Sequence, residues 1–120
     1  MKAKVLVIED DEELCSLVAA AFRMDNFETY SATSIEKALE IVKKNKIDLV
    51  FADIVLNDKK STDYAEKFLN SNENLKIILT SAHYELVKKE NSSKNPRLTA
   101  VPKPYDIEKV IQTARSLLIK

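Results

Sequence analysis

No glycine stands anywhere in the 120 residues. Phosphate-cradling loops of the P-loop or G-x-G-x-x-G kind need glycine where the backbone approaches the anion, so both are excluded. The single cysteine, Cys15, rules out an internal disulfide framework and fits a reducing cytosol. The single histidine, His83, leaves zinc without a second imidazole. Charge of one sign is also lacking: nineteen basic and nineteen acidic residues cancel. No bulk field therefore favours nucleic acid or an anionic membrane. No apolar run approaches the roughly 20 residues of a membrane span. Met1-Lys2-Ala3-Lys4 leads into a short strand pattern, not a signal peptide.

What remains is a chain that is 45% hydrophobic and 32% charged, enough for one domain over residues 1–120 with one core. Short apolar runs alternate with amphipathic ones. Val5–Ile8, Phe27–Ala32, Asp48–Asp53, Leu75–Thr80 and Leu98–Val101 read as strands. Between them, Asp11 to about Met24 carries Leu14, Leu17, Val18, Ala21 and Phe22 at helical spacing. Ser34 reads as the N-cap of a second helix built on Ile35, Ala38, Leu39 and Val42. A polar loop, Asn57-Asp58-Lys59-Lys60-Ser61, leads to a third helix from about Thr62 to Ser71. Tyr84–Asn95 predicts a short or fraying fourth helix, because Asn91-Ser92-Ser93-Lys94-Asn95 is helix-poor. Asp106 caps a last helix carrying Ile107, Val110, Ile111, Ala114, Leu117 and Leu118.

Five strand–helix repeats in a compact chain predict an α/β fold, a doubly wound parallel sheet covered on both faces. The strand order that suits five strands is 2-1-3-4-5, with its switch point between strands one and three. Those two strands end in carboxylates: Glu9-Asp10-Asp11 after the first and Asp53 on the third. Acids gathered at one sheet edge repel unless something positive sits among them. With carbonyl and water oxygens they make a hard site suited to Mg²⁺ or Mn²⁺. Ser81 follows strand four and Lys103 follows strand five, at the same edge. A carboxylate nucleophile, a divalent cation, a hydroxyl and a lysine are the parts needed to move a phosphoryl group onto an aspartate.

The motifs Val7-Ile8-Glu9-Asp10-Asp11, Asp53, Thr80-Ser81-Ala82 and Val101-Pro102-Lys103-Pro104-Tyr105 occur in that order along the chain. In them the chain resembles the receiver domain of two-component response regulators over essentially its whole length. The resemblance implies the flavodoxin-like (βα)5 three-layer sandwich and a role for each position. Asp53 would accept the phosphoryl group of a sensor histidine kinase or histidine phosphotransfer protein. Asp10 would bind the metal directly, Glu9 through water or at longer range, and the Val55 carbonyl would be the third protein ligand. Lys103 would pair with Asp53 and then with the phosphoryl oxygens, and Lys103-Pro104 would be cis. Between adjacent hydroxyls, Ser81 is chosen over Thr80, because Ser81 precedes a small residue and lies twenty-two positions before Lys103. Neither nucleic-acid nor membrane binding is implied. A cytoplasmic monomer or weak homodimer with an undefined output partner is, and the end of the chain at a helix without a linker slightly favours a stand-alone receiver.

Several positions depart from the family pattern. Ala100 stands where receivers often carry Tyr or Phe. Asn57 and Ser61 replace the proline and glycine that receivers often carry in the loop after Asp53, and Val55 and His83 occupy positions that in receivers border the path of a hydrolytic water. A receiver fold working as an interaction module without phosphorylation is the alternative, with Ala100 its best support. A haloacid dehalogenase-type phosphatase would need an acid at Val55, and an FMN carrier would need a phosphate loop where Glu9 and Asp10 stand. Taken alone, Asp11, Glu12 and Glu13 are a favourable first turn for a helix dipole. Cys15 reads as a packing residue, Tyr105 as packing beside the site, and Lys43-Lys44-Asn45-Lys46 and Lys88-Lys89 as solvated helix surface.

Overall fold

The computed structural model describes residues 2–56, 59–93 and 95–118. Strand β1 (Lys4–Ile8) leads to helix α1 (Glu12–Met24), then β2 (Glu28–Ala32), α2 (Ile35–Lys44) and β3 (Leu49–Asp53). A small antiparallel ribbon follows, β4 (Val55–Leu56) against β5 (Lys59–Lys60). A 3₁₀ turn (Ser61–Tyr64) enters α3 (Ala65–Ser71), followed by β6 (Lys76–Ser81), α4 (Tyr84–Ser92), β7 (Leu98–Pro102) and α5 (Ile107–Leu118). The main sheet is parallel, in the order β2-β1-β3-β6-β7. With the ribbon set aside, this is the expected 2-1-3-4-5.

Period-two alternation divides the core into two layers. Leu6, Ile8, Val50, Ala52, Ile77 and Leu79 pack with residues of α2, α3 and α4. Val5, Val7, Leu49, Phe51 and Ile78 pack with α1 and α5. The near-continuous apolar strands follow from burial on both faces.

Local differences from the expectations have identifiable causes. Thr62 and Asp63 are poor helix formers, so the third helix begins with the 3₁₀ turn and turns α-helical only at Ala65. The loop expected over residues 57–61 is partly ordered as the ribbon; Asn57 and Asp58 lie outside the described residues. Phe27 belongs to the end of α1 instead of β2. Asn26 takes φ 71°, Phe27 N–H donates to the Phe22 carbonyl at 3.1 Å, and Asn26 N–H donates to that of Arg23 at 3.0 Å. This is the Schellman ending of a helix, closed by edge-to-face contact of Phe22 and Phe27. In a chain without glycine, asparagine is the residue that tolerates the left-handed position best.

The polar tail of the fourth helix also has a purpose. Asn91 donates from Nδ2 to the Ala100 carbonyl at 2.9 Å and accepts from the Ala100 N–H at 2.8 Å. The side-chain amide thus completes the outer edge of β7, which no strand covers among the described residues. Lys94 lies outside the described residues.

At the opposite end of the sheet, Arg97 donates to the carbonyls of Leu69 (2.8 Å), Asn72 (2.7 Å) and Leu75 (2.9 Å). One guanidinium therefore closes the end of α3 and the entry to β6. Arg97→Ala is expected to cost roughly 2–3 kcal/mol, because three carbonyls lose a charged donor. Urea unfolding measures it, with the slope unchanged and the midpoint lowered. Lys59→Ala, which removes an exposed ion pair with Glu36, should leave the midpoint in place.

Candidate functional site

The switch point between β1 and β3 brings the acids together. Ile8 pairs with Ala52, so Glu9 and Asp53 follow side by side at the carboxyl edge. Lys103 emerges beyond β7, two strands away from β3, and its backbone N–H donates to the Ser81 carbonyl at 2.8 Å. Its ammonium reaches back across the end of β6 and donates to Asp53 Oδ2 at 2.5 Å. The same ammonium lies 3.6 Å from Glu9 Oε1. The Lys103-Pro104 bond is cis, as expected. Asp53 is fixed at its other oxygen as well, where Val55 N–H donates to Oδ1 at 3.1 Å.

Burial tunes these groups. Glu9 is only 8% exposed, and burial together with the adjacent Asp10 side chain pushes its carboxyl above the ordinary value despite Lys103. Burial by itself would lower the Lys103 ammonium. The hydrogen bond and charge of Asp53, with the charge of Glu9, outweigh that and hold it above its usual range. Lys103 is therefore a fixed cation at neutral pH.

The remaining residues named from the sequence fall around this pair. Asp10 is exposed at the mouth. Asp11 caps α1, its Oδ1 accepting from Leu14 N–H at 3.2 Å, so it belongs to the helix. Ser81 is buried, and its hydroxyl oxygen accepts from His83 N–H at 3.0 Å, at the start of α4. Tyr105 packs edge-to-face on Phe51. Cys15 is buried in α1. Ala100 lies in the core beside Leu79 and Val87, with no ring to move.

Among the described residues, no three acid, histidine or cysteine side chains form a ready-made metal cluster. The donor chemistry nevertheless fits a hard cation that keeps most of its water: the Asp10 and Asp53 carboxylates, the Val55 carbonyl and Glu9 behind them. Burial beside Asp10 and Asp53 raises the Glu9 carboxyl even with Lys103 at hand, so the rim is short of positive charge.

One feature of the site leaves no mark in the sequence. An apolar groove lined by Leu14, Leu17, Val18, Ala21, Tyr105 and Ile107 runs up to Lys103. Leu17 is 69% exposed within it, although it shares its helical face with the buried Val18 and Phe22. Thr80, adjacent to Ser81, is buried and in register with Asp53.

A five-stranded parallel sheet in this order, with acids at its switch point and a lysine bridged to them, is a doubly wound α/β fold with one charged site at its carboxyl edge. The family model of the response regulator receiver domain matches residues 5–115, and the chain belongs to that family. The chain is 26% identical to sporulation initiation phosphotransferase F of Bacillus subtilis over 118 residues, covering 98% of this chain and 95% of that one. It is 29% identical to the probable transcriptional regulatory protein TcrX of Mycobacterium tuberculosis, covering 95% of this chain and 49% of the relative. The chain thus spans about half the length of some relatives and nearly all of another. Among solved structures, a response regulator receiver protein of Sinorhizobium medicae superposes with a TM-score of 0.85 at 23% identity, covering 98% of this chain and 94% of that one. The chemotaxis protein CheY4 of Vibrio cholerae gives 0.84 at 16% identity, covering 98% and 100%. Both share the fold of this chain.

The sign of the Glu9 effect is testable. A carboxyl raised in the native state binds its proton more tightly than in the unfolded chain, so its contribution improves as pH falls from neutral toward its ordinary 4.5. Glu9→Gln lacks this dependence. Its melting temperature relative to wild type is expected to be highest at neutral pH and to lose that advantage toward pH 4.5 in thermal scans without divalent cation.

Proposed function

We propose that residues 1–120 form one receiver domain that takes a phosphoryl group onto Asp53 from a sensor histidine kinase or histidine phosphotransfer protein. The Lys103–Asp53 bridge is the observation that carries this reading. It orients the Asp53 carboxylate and keeps a fixed cation beside the oxygen that would attack. A phosphohistidine arriving at the rim exchanges its phosphorus–nitrogen bond for a phosphorus–oxygen bond to Asp53, and the donor imidazole leaves. Lys103 follows the charge from the carboxylate to the phosphoryl oxygens. Ser81, whose oxygen accepts from His83 N–H, has its own O–H proton to donate to the same group, and a rotation toward it would loosen the start of α4. Asp10, Asp53 and the Val55 carbonyl, with Glu9 behind them, would hold Mg²⁺, which would supply charge neutralisation for the transferred group; Mn²⁺ would suit the same oxygens. The changed rim shifts a two-state equilibrium and alters binding of an output partner. The setting is the cytoplasm, and the role is signalling, not turnover of a substrate.

Ala100 favours a second reading, an interaction module on the same fold that works without phosphorylation. The two readings separate on one experiment. Incubation with Mg²⁺ and acetyl phosphate is expected to add one acid-stable, base-labile phosphoryl group. Asp53→Asn or removal of the cation with chelator should abolish it. Intact-protein mass spectrometry reads the result, and an unmodified wild type overturns the phosphoacceptor assignment.

The donor must cover the rim to deliver its phosphoryl group, so the groove between α1 and the Lys103–Ile107 segment is where its surface rests. Leu17, exposed and apolar, is the natural anchor. Leu17→Asp is expected to slow transfer from a phosphorylated donor protein by about tenfold or more, the loss of one anchor of roughly 2 kcal/mol. Modification by acetyl phosphate, measured in parallel, should stay at the wild-type rate.

A further inference from the structure

Thr80 is the further residue at the rim that the reading above leaves unused. It is 2% exposed, and its Oγ1 has no hydrogen-bond partner among the described residues. Buried hydroxyls are nearly always paired, because an unpaired one forfeits its hydration for nothing. Its neighbours are settled by register: Thr80 pairs with Asp53 on one side and with Val101 on the other. Residues in register on parallel strands present their side chains to the same face. Ile78, two positions earlier, belongs to the layer of α1 and α5, which places the Thr80 hydroxyl on that side.

Lys103 crosses the same ground. Its backbone sits at the end of β7 and its ammonium meets Asp53 on β3, with β6 between them. The other polar groups at the end of β6 are already engaged. The Thr80 carbonyl accepts from Ile54 N–H at 2.8 Å, the Ser81 carbonyl from Lys103 N–H at 2.8 Å, and the Ser81 hydroxyl from His83 N–H at 3.0 Å. Thr80 Oγ1 remains without a partner among the described residues, on the strand that lies between the Lys103 backbone and Asp53.

We propose that Thr80 is a positioning residue whose hydroxyl accepts a hydrogen bond from the Lys103 ammonium when that ammonium leaves the Asp53 carboxylate for a phosphoryl group. The inference rests on Asp53 being the phosphoacceptor. An ammonium carries three donors and no acceptor. With the Lys103 side chain 25% exposed, little water competes to satisfy them. Formation of the acyl phosphate removes the carboxylate charge that now holds the ammonium. A hydroxyl fixed on β6 would keep it aimed at the rim, and the cost of leaving that hydroxyl unpaired in the resting state is recovered on phosphorylation.

The test compares wild type with Thr80→Val, which keeps the shape without the hydroxyl, and Thr80→Ser, which keeps the hydroxyl. Initial rates of Mg²⁺-dependent modification by acetyl phosphate are measured by mass spectrometry, with melting temperatures of the unmodified proteins. Thr80→Val is expected to melt at or above wild type yet to be modified about tenfold more slowly, the worth of one charged hydrogen bond. Thr80→Ser should recover most of the rate. A Thr80→Val rate within about twofold of wild type, or equal slowing in both variants, overturns the proposal. So does a Thr80→Val melting temperature well below that of Thr80→Ser, since the hydroxyl would then be structural. If wild type itself is not modified, the phosphoacceptor assignment falls and takes this inference with it. A modified wild type with an unaffected Thr80→Val sinks the inference alone.

Discussion

One ammonium holds the rim of this molecule together. Lys103 is anchored by its backbone at the end of β7, spans β6 and neutralises Asp53 at the end of β3. Without it, Asp53 and the buried Glu9 would face each other across adjacent strand ends with their repulsion poorly screened. The pair is also asymmetric in what it costs to disturb. Removing one partner leaves an uncompensated charge in a site where Asp53 is 16% and Glu9 10% exposed at the side chain. In the proposed function, the same charge that steadies the resting site is the one that would follow a phosphoryl group onto Asp53.

The frame around the bridge is built to keep its ends apart in kind. The end of the sheet away from the site is tied by several side-chain contacts. Arg97 holds three carbonyls, Asn72 holds the Ile47 carbonyl, and Arg115 pairs with Asp25 and lies over the ring of Phe27. At the rim, Lys103 meets both Asp53 and Glu9, and Ser81 accepts from His83 N–H. Helix α4 joins the two ends. The Ser81 contact lies at its start, and its end is tied to β7 through Asn91 at Ala100. An aromatic ring at position 100 would have offered another route between rim and surface. In this chain the strand edge at that position is held by a side-chain amide instead.

Much of the architecture was legible because burial on two faces leaves a strong mark on composition. Strands such as Val5–Ile8 and Leu49–Ala52 read as uniform apolar runs, and helices such as Ile107–Leu118 as clear periodic faces. Asp53, Asp10, Glu9 and Lys103 stood out because charges directly after such runs must lie at one sheet edge. Less legible were features in which a side chain substitutes for backbone. Asn91 looked like part of a helix-breaking tail, since its two partners lie on a strand nine residues away. Leu17 looked like core, since periodicity separates one face from another but does not reveal where a neighbouring element ends. The short β4–β5 ribbon lies below the length at which any pattern is visible.

By its order of residues alone, the chain determined which segments pair with solvent and which with one another, and hence the alternating elements and the edge on which its charges collect. That follows from local periodicity and from the handed geometry of parallel strand connections. Only the tertiary structure decided which of two adjacent hydroxyls, Thr80 or Ser81, is engaged and which has no partner among the described residues, and that the span from Lys103 to Asp53 crosses an intervening strand. Those outcomes depend on lateral register and on distances of a few ångströms between residues as many as 50 positions apart, which no spacing along one strand can encode.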